Sequence, residues 1–160
     1  MLSLSKKTDY ALIALAYLAE RPGRVAPARE IALARNLPAP LLMNILKDLH
    51  HHGLLRSTRG VKGGYELAVD PAAYSLHDLI VALEGPVRLV ECVDSEQSCH
   101  HDDETEADAC RVNGRCAVQA PLQALHHRLV RFLREVKLSD VVVSGGIAAI
   151  DADTRREPLD

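Results

Sequence analysis

The chain has 160 residues, room for one domain with appended elements, and its 48% apolar content is ordinary for a globular protein. Aromatics make up 3%, so the core has to be Leu, Ile, Val and Ala, and no apolar run approaches the roughly 18 residues that span a bilayer. The net charge of −3 divides into +4 over residues 1–70 and −7 over residues 71–160, which excludes a uniformly basic or acidic protein and points to a polyanion partner for the first part only.

The opening "MLSLSKKTDY" has no apolar stretch after a basic start, so no secretory signal and a cytoplasmic location are expected. From Ser5 to Glu20 the apolar residues Leu12, Leu15, Ala16 and Ala19, widened by Ile13, Tyr17 and Leu18, predict a helix with a broad buried face. "RPGR" stops it. A short helix follows in "AREIALARN", with Ile31 and Ala34 inward, and Leu37–Pro38 makes the turn. A third helix, "APLLMNILKDLHHH", puts Leu42, Ile45, Leu46 and Leu49 on one face and ends at Gly53, which suits a left-handed cap. "LLRSTRGVKGGYELAV" then reads as strand, Gly-rich turn, strand. The fold class is therefore mainly α with a small β-hairpin. The order is that of a winged helix-turn-helix, which places its last helix in the major groove of double-stranded DNA.

The helix "YSLHDLIVALEG" carries a capping-box-like pair, Ser75 and Asp78, and stops at Gly85–Pro86. From about Cys116 to Val136 a long amphipathic helix shows a stripe of Leu122, Leu125, Leu129, Phe132, Leu133 and Val136. A twin helix in a homodimer is the economical cover for that stripe. The expected organisation is a DNA-binding domain over residues 1–85, a cysteine-rich loop over 86–115, a dimerisation helix over 116–138 and a frayed tail over 139–160.

Within the DNA-binding part, Arg59 sits at the hairpin tip, where a guanidinium suits the negative potential of a narrow minor groove. Lys62 and Arg56 are candidate phosphate contacts. The third helix begins with Pro38, Ala39, Pro40 and Leu41, so direct base readout is thin. Asn44 can read adenine, Lys47 can hold phosphate, Leu41 and Met43 can touch thymine methyls, and Pro40 is a further candidate DNA contact. His50, His51 and His52 read first as a solvated terminus favoured by the helix dipole and second as a metal site.

All four cysteines fall between Glu91 and Cys116, spaced Cys92-x6-Cys99-x10-Cys110-x5-Cys116. The short C-x2-C knuckle of zinc ribbons and the thioredoxin motif are both missing. Several thiolates on one loop leave an iron–sulfur cluster as the remaining chemistry, and a helix N-terminus near Cys116 favours a net-negative cluster. Metal binding would also supply folding free energy to a loop this polar.

These segments resemble one family. "LSKKTDYALIALAYLA", "RGVKGGYELA", "SLHDLIVALEGP" and "EC" leading to "RCAVQAPLQALHHRL" are together similar to the IscR/NsrR-type winged-helix transcriptional regulators, over residues 1 to about 141. The likeness is strongest to regulators of SUF iron–sulfur assembly. It implies a homodimer, a repressor in the leading reading, whose operator binding is controlled by a cluster (2Fe-2S or 4Fe-4S) held by three cysteines and one other residue. Cys92, Cys99 and Cys116 match the three positions. Cys110 departs from the pattern, because "HHDDETEADA" separates it from Cys99, yet its spacing to Cys116 keeps it a rival of Cys99. The histidine that some relatives place three residues after the last cysteine is Gln119 here, whereas Asp9 stands where others supply a carboxylate to the partner's cluster. His100 and His101 are local rivals for that fourth place. The alternative in the same fold is a cluster-free thiol-switch or nitric-oxide-responsive repressor in which Cys99 and Cys110 form a disulfide. An adaptor that no longer reads DNA is a further alternative, and an enzyme is not expected.

Overall fold

The computed structural model describes residues 4–89 and 116–142. Helix α1 (Lys6–Ala19) starts because the Ser5 hydroxyl accepts the N–H groups of Lys7 and Thr8 at 3.1 and 3.4 Å. It buries Thr8, Ala11, Ala14, Leu15, Tyr17 and Leu18, and the small alanines let neighbouring elements approach closely.

Helix α2 (Ala28–Ala34) buries Ile31 and Ala32. Ala34, expected inward, faces solvent. The reason is the turn that follows: Asn36 takes φ 52°, Leu37 N–H bonds to the Ala32 carbonyl at 2.9 Å, and Leu37 becomes the residue that enters the core.

Helix α3 (Ala39–His51) opens with Pro40, whose missing N–H has no partner to lose in a first turn. Leu42, Ile45, Leu46 and Leu49 are all fully buried, as their shared face predicts, each contributing about 1.5–3 kcal/mol relative to exposure. At its end Gly53 takes φ 78°, its N–H bonds to the His50 carbonyl at 3.0 Å, and Leu54 N–H bonds to the Leu49 carbonyl at 2.9 Å. This pair of bonds reverses the chain into the hairpin.

Strands β1 (Leu55–Thr58) and β2 (Gly64–Leu67) pair antiparallel, with Leu55 opposite Leu67 and Thr58 opposite Gly64. Helix α4 (Leu76–Glu84) is capped by Ser75, whose hydroxyl accepts Asp78 N–H at 3.1 Å and donates to Asp78 Oδ2 at 2.7 Å. That bond holds the Asp78 carboxyl below its ordinary range, against the upward pull of burial. Gly85 ends the helix at φ 86°.

Helix α5 (Gln119–Glu135) joins α4 through an antiparallel bridge: Leu76 N–H to Val136 carbonyl at 2.9 Å and Leu138 N–H to Tyr74 carbonyl at 2.8 Å. The chain does not leave the domain at residue 139. It forms helix α6 (Leu138–Val142), whose Leu138 and Val142, four apart, are buried in the main core, with α6 packed against α1. The core so formed draws on α1, α2, α3, β1, α4 and α6.

Candidate nucleic-acid interface

The buried face of α3 leaves the opposite side to Pro40, Asn44 and Lys47, with Leu41 and Met43 flanking, and all five are exposed. Two large apolar side chains therefore stay in solvent on a helix whose other large apolar residues are fully buried. Lys47 has no ion-pair or hydrogen-bond partner among the described residues, so its charge is uncommitted.

The hairpin is fixed to the rest of the motif from below. Ala26 and Tyr65 exchange two backbone bonds, at 2.9 and 2.8 Å. A Cβ at Gly64 would run into the carbonyl of Ala26, and one at Gly63 into the carbonyls of Thr58 and Gly60. These two glycines are needed for close approach, whereas Gly60 is needed for its φ of 115°. The result is a tight tip, Gly63 N–H to Gly60 carbonyl at 2.9 Å, on which Arg59, Val61 and Lys62 are exposed. Arg59 and Lys62 also have no charge partner among the described residues. Arg56 differs: it faces Glu66 across the strands at 3.5 Å, so it serves the hairpin first.

His50 is bound into the helix–hairpin joint, Nδ1 lying 2.9 Å from the Leu55 carbonyl and Nε2 3.3 Å from Ser57 Oγ. His51 and His52 are exposed, and no metal-binding group of three appears among the described residues. The solvated-terminus reading thus describes His51 and His52, and His50 is a joint residue.

Sequence reasoning did not find the brace between α1 and α2. The Tyr17 hydroxyl donates to Glu30 at 2.6 Å, Arg24 pairs with Glu30 at 3.0 Å, and the Arg21 guanidinium lies 4.0 Å over the Tyr17 ring. The bond to Glu30, then burial, raises the Tyr17 pKa. Its one sequence signal is a tyrosine inside an otherwise aliphatic stripe.

Of the cysteine-segment residues, Cys92, Cys99, Cys110, His100 and His101 lie outside the described residues. Cys116 is a half-buried free thiol whose carbonyl accepts Gln119 N–H at 3.2 Å, just ahead of α5. Asp9 is exposed on the first turn of α1, and its carboxylate has no partner among the described residues. A thiol and a carboxylate of this kind are chemically suited to iron, and neither is committed to the fold.

On α5 the apolar stripe is uneven. Val136 is buried and Leu122, Leu129 and Leu133 are half-buried, but Leu125 is 53% and Phe132 43% exposed. No described helix is long and apolar enough to cross a membrane.

The family model for Rrf2, iron-dependent transcriptional regulators, matches residues 4–144. An rrf2-like HTH-type transcriptional regulator of Rhodobacter capsulatus is 34% identical over 152 residues, covering 91% of this chain and 96% of that one. The regulator NsrR of Bacillus subtilis is 31% identical over 98 residues, 61% of this chain and 67% of its own. Among solved structures, CymR, the global cysteine regulator of B. subtilis, superposes with a TM-score of 0.66 at 27% identity, covering 89% of this chain and 97% of CymR. Its relatives are transcriptional regulators and not enzymes, and the described helices and hairpin have the winged-helix architecture. With the motif, the hairpin and the match over almost the whole described length in agreement, the chain belongs to the Rrf2 family of winged-helix transcriptional regulators.

Proposed function

We propose that this regulator is a homodimeric, cytoplasmic repressor whose affinity for its operator is set by an iron–sulfur cluster, and that it governs iron–sulfur assembly (SUF) genes. The observation that supports it is the set of functional groups the fold leaves unused. Among the described residues, Lys47, Arg59 and Lys62 are exposed cations without partners on the DNA-reading motif, and Asp9 and Cys116 are metal donors that the fold leaves uncommitted.

In this reading Arg59 enters the minor groove, Lys62 and Lys47 hold phosphates, and Asn44 and Met43 meet base edges beside Pro40. Cys92, Cys99 and Cys116, with Cys110 as rival to Cys99, would hold the cluster, and Asp9 of the partner subunit would complete it. A bound cluster would supply a redox- and ligand-sensitive centre. An oxygen ligand from Asp9 is a harder donor than thiolate and suits a sensor that must release or exchange at that position. The exposed part of the α5 stripe, Leu125 and Phe132, would pack on its twin.

The test is anaerobic purification with a visible spectrum, iron and acid-labile sulfide counts, and binding to operator DNA over a range of salt. Brown protein with stoichiometric sulfide and a steep salt dependence is expected. Colourless protein that resists reconstitution overturns cluster control and turns attention to a Cys99–Cys110 thiol switch. Absence of salt-dependent DNA binding overturns the regulator reading itself.

A further inference from the structure

One set of side chains binds the first turn of α1 to the last turn of α4 and to α3. The Ser5 and Thr8 hydroxyls both donate to Glu84 Oε1, Ser5 at 2.6 Å. Burial pushes the Glu84 carboxyl up, but these hydroxyls and the Lys7 charge outweigh it and hold it below its ordinary value. Lys7 Nζ, between those two hydroxyl residues in sequence, donates to the Leu83 carbonyl at 2.9 Å and pairs with Asp48 Oδ2 at 2.7 Å.

Each partner has a meaning. The Leu83 carbonyl is among the last four of α4, which find no acceptor role inside their own helix. Asp48 lies on α3 beside Lys47 and one turn after Asn44, both candidate DNA contacts. Asp9, the candidate ligand, lies two residues beyond Lys7 on the same turn of α1. A single ammonium therefore joins the helix from which the chain runs toward the cysteines to the helix that faces DNA.

Stability does not explain this pairing. The Lys7 and Asp48 side chains are 38% and 44% exposed, and ion pairs so exposed contribute little to folding. Geometry explains it better. An ammonium on a flexible stem offers three donors and can serve acceptors on two elements at once, so a shift of one acceptor is felt at the other. Resting on the proposed cluster control, we infer that Lys7 is a positioning residue: it sets the seat of α3 according to the placement of the end of α4 and the first turn of α1. Cluster state then reaches Asn44 and Lys47 through the Lys7–Asp48 pair.

The experiment uses the full-length protein and an operator duplex recovered by selection from random-sequence DNA. Dissociation constants are measured for the iron- and sulfide-loaded form and for the chelator-stripped form, with the visible spectrum and thermal midpoint recorded beside them. The two wild-type constants should differ about fivefold or more. In Lys7→Met, and in Asp48→Asn as a second variant, the ratio should fall to near one, with spectrum and midpoint close to wild type. Lys7→Arg, which keeps the charge and several donors, should restore the ratio. If both constants rise together in Lys7→Met and Asp48→Asn with their ratio intact, the pair is a structural brace; the inference is overturned and cluster control stands. A wild-type ratio of one overturns cluster control and this inference together.

Discussion

Arg59 and Asp9 are the residues on which the two halves of the proposed function turn, and both are spare parts of the fold. Neither has a charge partner among the described residues. Replacing Arg59 by alanine should weaken operator binding and make its salt dependence shallower, because a cation seated in the minor groove is lost. The cluster spectrum should not change. Titrations at several salt concentrations check this, and wild-type affinity and slope would remove Arg59 from the DNA contacts. Asp9→Ala should leave iron bound by the cysteines but change the spectrum or speed iron loss to a chelator. If both match the native protein, Asp9 is only an acid favoured in the first turn of α1. Tyr17 stands at the other extreme: it is buried, bonded to Glu30 and covered by Arg21, and its role is to hold α1 on α2.

The hairpin and α5 are the elements whose geometry is set by something outside their own sequence. β1 and β2 are short, and a two-stranded ribbon alone is marginal in water. This one persists because Ala26 pairs with Tyr65 and Gly64 lies against the Ala26 carbonyl. Gly64→Ala forces a methyl into that backbone contact and should cost about 2 kcal/mol. For a chain of this size that is a fall of roughly 4–8 °C in thermal midpoint. DNA affinity should fall as well, since Arg59 and Lys62 ride on the displaced hairpin. An unchanged midpoint and affinity would mean the hairpin yields without loss. Helix α5 has the reverse problem, a stripe too long for its own domain. α4 lies against part of it, and Leu125 and Phe132 remain outside.

For the whole molecule, that exposed pair is the dimer interface of the proposed function. Leu125→Glu combined with Phe132→Glu should leave the fold intact, because both side chains already face solvent in one protomer. Sedimentation equilibrium should then give half the native mass, and operator affinity should drop because paired half-sites need paired reading heads. Native protein that sediments as a monomer, or a variant that remains a dimer, would place the interface elsewhere.

The helix-turn-helix, the hairpin and the long helix are legible in the sequence, because each rests on local signals. Leu42, Ile45, Leu46 and Leu49 keep one helical face, Ser5 and Ser75 are good caps, and Gly53 and Gly85 supply the positive φ that ends α3 and α4. It also marked Arg59 and Lys62, since residues in a glycine-rich tip have nowhere to go but solvent. Other features depend on contacts between residues far apart in the chain. Ala34 faces out because the Asn36 turn delivers Leu37 to the core instead. Residues 139–142 stay on the domain because Leu138 and Val142 find α1, a partner more than a hundred residues away in sequence. His50 and Arg56 are held by the hairpin. Lys7 joins α1 to α3 and α4 through Asp48 and Leu83, and no periodicity of the chain carries a contact between residues that far apart.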